Sequence, residues 1–285
     1  MSIQVLTSGA ATTLQDQGRY GYQDQGVPVS GYMDANAANL ANLLVNNPKG
    51  EVLIEMSLMG IKFKTTEAIT IAITGADMQP TLNGIPIPMY KAIQIPKDGI
   101  VKLGGAKTGV YSYLAIAGGL KIPKEMGSKS TYMPAALGGL HGGMLQKGNE
   151  IELQNQQIVQ NVSKVKSVIY PKEVDLMCLP GPEWNLFSEK SKTQFLNQTY
   201  KVTADSNRIG IRLQGATLKL PVVDEIISSG IVKGTIQVTK AGTPIVMMAD
   251  APTTGGYLRI ANLTQQACNR LAQVVVGGSV RFVMK

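Results

Sequence analysis

The sequence predicts a mainly β protein with a few short helices. Three observations carry that class. Apolar residues alternate with polar ones over short runs: in 68–74, Ile69, Ile71 and Ile73 share one face at the period of a half-buried strand. Turn signals punctuate such runs, at Asn83-Gly84, Pro96-Lys97-Asp98-Gly99, Lys147-Gly148-Asn149 and Lys240-Ala241-Gly242. Only three segments have helical spacing instead. Many short strands at this spacing suit sandwiches or barrels.

Taken in order, further strand-like runs fall at 93–95, 100–103, 151–153, 174–179, 199–203, 209–213, 235–238, 245–248 and 280–284. The run 110–117 alternates less cleanly and reads as buried on both faces. The first helical segment is 33–46, where Met33, Ala37, Leu40 and Leu44 recur at helical spacing and Asn47-Pro48 stops the helix. The second, 188–197, opens on Ser188 as N-cap, with Glu189 at the positive end of the dipole. The third, 264–273, opens on Thr264 and puts Ala267 and Leu271 on one face. Residues 154–172 are rich in Gln, Asn, Ser and Lys and end in Tyr170-Pro171. They read as a connector between a β-rich half at 1–160 and a second at 170–285.

The 285 residues are enough to bury a substantial core. The formal charge of +8 comes from scattered lysines, not from a dense basic run with interleaved aromatics, so nucleic acid is not an expected partner. A basic surface suits anionic substrates or an acidic partner. Two cysteines, Cys178 and Cys268, without Cys-x-x-Cys spacing, and one histidine, His141, point to no metal site and no disulfide framework. The first residues lack a signal-peptide profile and no apolar run reaches membrane-span length, so a cytoplasmic location and no membrane partner are expected.

The most distinctive loop is Ala249-Asp250-Ala251-Pro252-Thr253-Thr254-Gly255-Gly256-Tyr257, which follows the apolar run 244–248. Two adjacent glycines permit positive φ and a nest of main-chain N–H groups that would bind an anion. The alternative reading is a tight turn between strands. Arg208 either grips a planar oxyanion or pairs with Asp205. Gln237 lies mid-strand, opposite in direction to Ile236 and Val238, and either reads an amide or faces solvent. Gln15, Asp16 and Arg19 either line a cleft or close a turn through an Asp16–Arg19 pair. Lys129, between Ser128 and Ser130, is either an anion-binding point charge or a solvated loop lysine.

Other loops join these in a fixed order. They are Thr12-Thr13-Leu14-Gln15-Asp16-Gln17-Gly18-Arg19 before Gly21-Tyr22, Gly26-Val27-Pro28-Val29-Ser30-Gly31 before Met33-Asp34, and Thr74-Gly75-Ala76-Asp77. Ala115-Ile116-Ala117-Gly118-Gly119 leads to Gly127-Ser128-Lys129-Ser130-Thr131, and Gly181-Pro182-Glu183 to Phe187. Asp205-Ser206-Asn207-Arg208-Ile209-Gly210-Ile211-Arg212 and Gly230-Ile231-Val232-Lys233-Gly234-Thr235-Ile236-Gln237-Val238 precede the 249–257 loop. In this order and spacing the chain resembles the biotin-dependent carboxyltransferase family, also called allophanate hydrolase subunit 2. That family includes the C-type subunit of 5-oxoprolinase, the antagonist of the sporulation-kinase inhibitor, and the C-terminal part of the urea carboxylase carboxyltransferase domain. The resemblance runs from Ile3 to Phe282. Three positions depart from it: Asn207 where aspartate is usual, Lys129 where arginine is usual, and Leu258 where proline is usual.

The resemblance implies two cyclophilin-like β-barrel units. It implies one component of an ATP-dependent 5-oxoprolinase that opens 5-oxoproline to L-glutamate; the alternatives are a biotin-dependent carboxyltransferase acting on urea or a related amide, and a non-catalytic protein that antagonises a kinase-inhibitor subunit. Implied partners are a small protein of the allophanate hydrolase subunit 1 or 5-oxoprolinase B-type class, a third 5-oxoprolinase component, and a small-molecule amide. The chain lacks both the Gly-x-x-x-x-Gly-Lys-Ser/Thr and the Gly-x-Gly-x-x-Gly pattern, so ATP is expected to be used by the assembly. It also lacks a biotin-attachment site, so carboxybiotin would arrive on a separate carrier. The expected catalytic residues are Arg208, Thr253, Thr254, Gly255, Gly256 and Tyr257, with the two glycine N–H groups as an oxyanion site. Gln15, Asp16, Ser128, Lys129, Ser130 and Gln237 are the expected substrate-binding residues.

Overall fold

The computed structural model describes residues 1–160, 164–222 and 227–285; residues 161–163, inside the connector read from the sequence, and 223–226 lie outside the described residues. The chain divides into two compact units. One comprises Met1–Tyr20 with Ser30–Tyr170, the other Gly21–Val29 with Pro171–Lys285. No helix among the described residues is long and apolar enough to cross a membrane.

The first unit is built on two antiparallel sheets. One is ordered Glu150–Glu152, Ser2–Thr7, Lys62–Thr65, Ile100–Lys102, Thr81–Leu82, Ile85–Pro86. The other is ordered Ala11–Gln15, Leu53–Ser57, Tyr111–Ile116, Ile69–Gly75, Ala92–Ile95. Asn83 and Gly84 close the Thr81–Pro86 hairpin with φ of 49° and 85°, the left-handed pair that a two-residue turn demands. Ile3, Val5, Ile54, Phe63, Ile71, Val101 and Leu114 belong to one fully enclosed apolar core.

Helix α1 (Ala35–Leu44) packs on the strands Ile69–Gly75 and Tyr111–Ile116. Asp34 caps it by accepting from Asn36 N and Ala37 N, both at 3.1 Å. Met33 precedes the helix; its N–H reaches Glu55 Oε2 at 2.8 Å, and Asp34 N donates to Tyr113 Oη at 2.7 Å. Burial and the neighbouring Glu55 and Asp34 charges push the Tyr113 phenol well above its ordinary pKa. The half-buried reading of 68–74 needs correction, because every residue of Ile69–Gly75 is buried. Its polar alternation is genuine, but Thr74 Oγ1 donates to Ala37 O of α1 at 2.7 Å and Thr70 Oγ1 accepts from Val159 N at 3.1 Å. The small and hydroxyl side chains lie under other chain, not under water. The strand Tyr111–Ile116 is buried on both faces, as the sequence indicates.

In the second unit, seven strands close into a barrel, in the order Glu173–Pro180, Leu258–Leu263, Thr235–Val238, Pro244–Met247, Gly210–Gln214, Tyr200–Val202, Ser279–Met284. Closure comes from a parallel pairing in which Glu173–Cys178 runs beside Ser279–Met284. Val174, Leu176 and Cys178 are buried while Glu173, Asp175 and Met177 are exposed, the alternation a barrel wall requires. Phe195 stacks on Phe282 at 4.6 Å, with Tyr200 beside both. Helices α2 (Glu189–Asn197) and α3 (Gln265–Ala272) start as expected: Ser191 N donates to Ser188 Oγ and Ala267 N to Thr264 Oγ1. Several strands carry no clear signal in the sequence, among them Ser2–Thr7, Leu53–Ser57 and Leu258–Leu263.

Candidate functional site

Candidate residues fall into two sets, one in each unit. In the barrel, Gly210 lies opposite Met247 where Gly210–Gln214 pairs with Pro244–Met247. Arg208 precedes the first of these strands and Asp250 follows the second, so the pairing brings them together. Asp250 N donates to Arg208 O at 2.9 Å. Arg208 Nε and Nη2 then fork onto Asp250 Oδ2 and Oδ1 at 2.8 and 3.0 Å. The two side chains are 12% and 5% exposed. The carboxylate partner is therefore Asp250, not the Asp205 named as one alternative, which stays exposed on its turn. Asn207 closes the same turn with its amide oxygen, accepting from Ile209 N at 2.8 Å and Gly210 N at 3.3 Å.

The 249–257 loop turns out to be one arm of a strand pair. Thr254–Gly255 lies antiparallel to Ser229–Gly230, and Ile231 N donates to Thr253 O at 2.9 Å. Neither Gly255 nor Gly256 has positive φ, so the expected nest is not formed. Glycine serves a different end at 255: an added Cβ would stand 2.4 Å from Ile231 Cδ1 and 2.7 Å from Gln237 Nε2. Gln237 does not face solvent. It is 3% exposed, and its Nε2 has no hydrogen-bond partner among the described residues. A buried amide donor without an acceptor is unfavourable by about 1–3 kcal/mol, which is why such groups mark ligand contacts or function. Around it Ile231, Ile245 and Met247 form a small apolar cluster. Thr254, Gly256 and Tyr257 are exposed, Tyr257 to 42%, while Thr253 and Gly255 are half-buried.

Arg259 lies directly across from Gln237 on the neighbouring strand and is not among the residues expected from the sequence. Its Nε and Nη2 hold both oxygens of Glu183, and its own N–H adds a bond to Glu183 Oε2 at 2.9 Å. Nη1 reaches Gly230 O at 2.9 Å. The Arg259 guanidinium holds the Glu183 carboxyl below its ordinary pKa, and Glu183 raises that of Arg259. The contact explains the Gly181-Pro182-Glu183 loop: a Cβ at Gly181 would stand 2.1 Å from Arg259 O. Arg259 falls on a strand that carries no clear signal in the sequence, so nothing there singles it out.

In the first unit, Asp16 is the centre of a buried network. Its Oδ1 accepts from Ser128 Oγ at 2.7 Å, Ser130 Oγ at 2.5 Å and Gly18 N at 2.9 Å, and its Oδ2 from Lys129 N at 2.7 Å. The Ser128 and Ser130 hydroxyls are thus engaged by Asp16, and both residues are fully buried. The Arg19 guanidinium is held by main-chain oxygens; its Nε and Nη2 reach Glu125 O at 3.1 Å and Ser130 O at 3.0 Å. The Asp16–Arg19 alternative is therefore replaced by a link through Ser130, which donates to one and accepts from the other. Lys129 Nζ pairs with Glu51 Oε1 at 2.8 Å, and the pair is only 11% and 20% exposed, so the lysine is not a solvated loop residue. Gln15 Nε2 bonds Thr13 Oγ1 and Thr131 O, while its Oε1 is buried without a partner among the described residues.

A separate cleft of about 990 Å³ in the first unit is bordered by Asp77, Tyr90, Lys102 and Thr108, and no candidate residue lines it. Among the described residues there is no group of three or more His, Cys, Asp or Glu able to hold a metal. Both cysteines are buried, and desolvation pushes each thiol up to about 11. His141 has φ of 57° within its glycine-rich loop.

Known proteins share this architecture. The chain is 34% identical to the 5-oxoprolinase C subunit of Haemophilus influenzae over 98% of its own length and 90% of the relative's. It is also 34% identical to the protein of the same name from Escherichia coli, over 99% and 90%. The crystal structure of the K. lactis urea amidolyase superposes with a TM-score of 0.91 at 28% identity, over 99% of this chain but 18% of that one. The family described as carboxyltransferase domain, subdomain A and B, matches residues 25–284. This chain belongs to that carboxyltransferase domain family.

Proposed function

We propose that the chain is the C-type subunit of an ATP-dependent 5-oxoprolinase, which opens the lactam of 5-oxoproline to give L-glutamate together with partner subunits. The observation that carries the reading is the near end-to-end match to two proteins named as the C subunit of 5-oxoprolinase, spanning 90% of each. When water adds to the lactam carbonyl, before the C–N bond breaks and its electron pair leaves on nitrogen, negative charge gathers on the carbonyl oxygen. Catalysis then needs fixed donors aimed at that oxygen. Gln237 Nε2, buried and unpartnered, is the donor we assign to it. Thr253, Thr254 and Tyr257 supply hydroxyls at the rim, and Arg208, already engaged by Asp250, braces the base of the loop.

In the first unit, Asp16, Ser128 and Ser130 shape the segment that carries Lys129. ATP is assigned to the assembly. This chain has no Gly-x-x-x-x-Gly-Lys-Ser/Thr phosphate loop. The expected small partner and a third component complete the enzyme, in the cytoplasm.

The test is reconstitution. The purified chain, mixed with its small partner, the third component and ATP, should yield glutamate from 5-oxoproline; a complete mixture that yields none refutes the reading. The likeness to urea amidolyase favours a second reading, carboxyl transfer from a biotin carrier to urea or a related amide. There Gln237 would meet a ureido oxygen, and carboxylation would require the carrier and not the small partner. Tight binding of the small partner without any turnover, indifferent to Tyr257→Ala, would instead mark a non-catalytic antagonist.

A further inference from the structure

We propose that Arg259 is a positioning residue: its clamp on Glu183 and Gly230 sets how closely the Thr254–Gly255 strand lies over the Gln237 carboxamide. Three separated segments meet at this one guanidinium. Glu183 takes two guanidinium N–H groups and the Arg259 main-chain N–H, fixing the side chain's direction. The remaining Nη1 reaches Gly230 O at 2.9 Å. Gly230 pairs with Thr254, Ser229 with Gly255, and Ile231 N with Thr253 O. Arg259 itself lies opposite Gln237 across the strand pair. The strand pair and the amide beneath it are therefore referred to the same side chain.

Closeness is what the clamp controls. Gly255 approaches Gln237 Nε2 so tightly that a methyl group has no room. No hydrogen bond from the Gln237 amide nitrogen holds the Thr254–Gly255 strand there, because Nε2 is unpartnered among the described residues. Lysine cannot replace the guanidinium, since one ammonium cannot present two parallel bonds to Glu183 and a third to Gly230.

The proposal rests on the site of the function proposed above, but it is tested first without activity. Hydrogen exchange is followed by NMR on the ¹⁵N-labelled full chain, comparing the wild type with Arg259→Gln, Arg259→Lys and Glu183→Gln. The reporters are the Ile231 amide, the Gln237 side-chain N–H₂, and the Val202 amide, which bonds Gly278 O elsewhere in the barrel. In Arg259→Gln the Ile231 amide should exchange about tenfold faster or more, and the Gln237 resonances should move, while Val202 is unchanged. Glu183→Gln, which keeps the arginine and removes its charge partner, should shift the same reporters in the same direction, and Arg259→Lys should fall between. Unchanged Ile231 and Gln237 signals would overturn the proposal. So would equal acceleration at Val202, which would make Arg259 a general stabiliser of the barrel.

In the complete ATP-supplied assembly, Arg259→Gln should lower kcat/KM for 5-oxoproline about tenfold or more, mainly through kcat, because a displaced donor fails the transition state more than the ground state. If the wild-type assembly makes no glutamate, the functional reading fails and the exchange result still decides the role of Arg259.

Discussion

Gly255 and Gln237 are so close that a methyl group on the glycine would stand 2.7 Å from the amide nitrogen. Gly255→Ala should therefore lift the Thr254–Gly255 strand or displace Gln237 and Ile231. Overpacking of this kind costs about 1–3 kcal/mol. We expect a lower urea midpoint of that size and a loss of activity larger than stability alone explains. A variant with wild-type midpoint and turnover would show that the contact relaxes without consequence.

The Arg208–Asp250 fork is buried, so removing one partner leaves the other charge without compensation. Arg208→Ala should destabilise the chain by about 3–5 kcal/mol. The double variant Arg208→Ala/Asp250→Ala should recover part of that loss in a double-mutant cycle. Equal losses in the single and double variants would remove the pair from the account.

Asp16 accepts from four donors and can be probed without a large change in shape. Asp16→Asn turns one acceptor oxygen into a donor facing Lys129 N–H or the two serine hydroxyls. We expect about 1–3 kcal/mol of destabilisation by urea unfolding, from donors left unsatisfied in a buried site. An unchanged midpoint would show the network to be dispensable.

Much of this is legible in the sequence, and what is not has identifiable causes. Ser188 and Thr264 are true caps because a hydroxyl before a helix satisfies a free N–H wherever the helix packs. The alternation of Ile69, Ile71 and Ile73 marks the strand but not its second covering, since Thr70 and Thr74 are polar for contacts with Val159 and α1, not for water. Gly255 is recognisable as special, yet sequence cannot separate a glycine needed for positive φ from one needed for closeness. Asp250 and Arg259 find their partners through strand register, which links residues far apart in the chain.

The Glu183–Arg259 pair predicts a pH dependence of stability. The carboxyl's folded pKa lies below its ordinary 4.5, so its contribution is present above about that pH and is lost as pH falls through the lower folded value. The stability gap between wild type and Glu183→Gln should hold constant from neutral pH down to about 5 and close on further acidification. A gap that widens in acid would contradict the depressed value.

Both thiols are buried with pKa pushed up to about 11 by desolvation. At pH 8 the native chain should be nearly inert to a thiol-specific disulfide reagent, and two equivalents should react once it is unfolded. Fast labelling of the native chain would mean that the barrel wall or α3 opens readily.

The most direct measurement is the rate of glutamate formation from 5-oxoproline by the complete, ATP-supplied assembly, carrying either the wild-type chain or Gln237→Leu. Leucine keeps a side chain of similar bulk and deletes the amide donor. We predict turnover with the wild type and a fall in kcat of about a hundredfold in the variant, the scale of losing one oxyanion donor. Equal turnover by the two chains would contradict the assignment of Gln237.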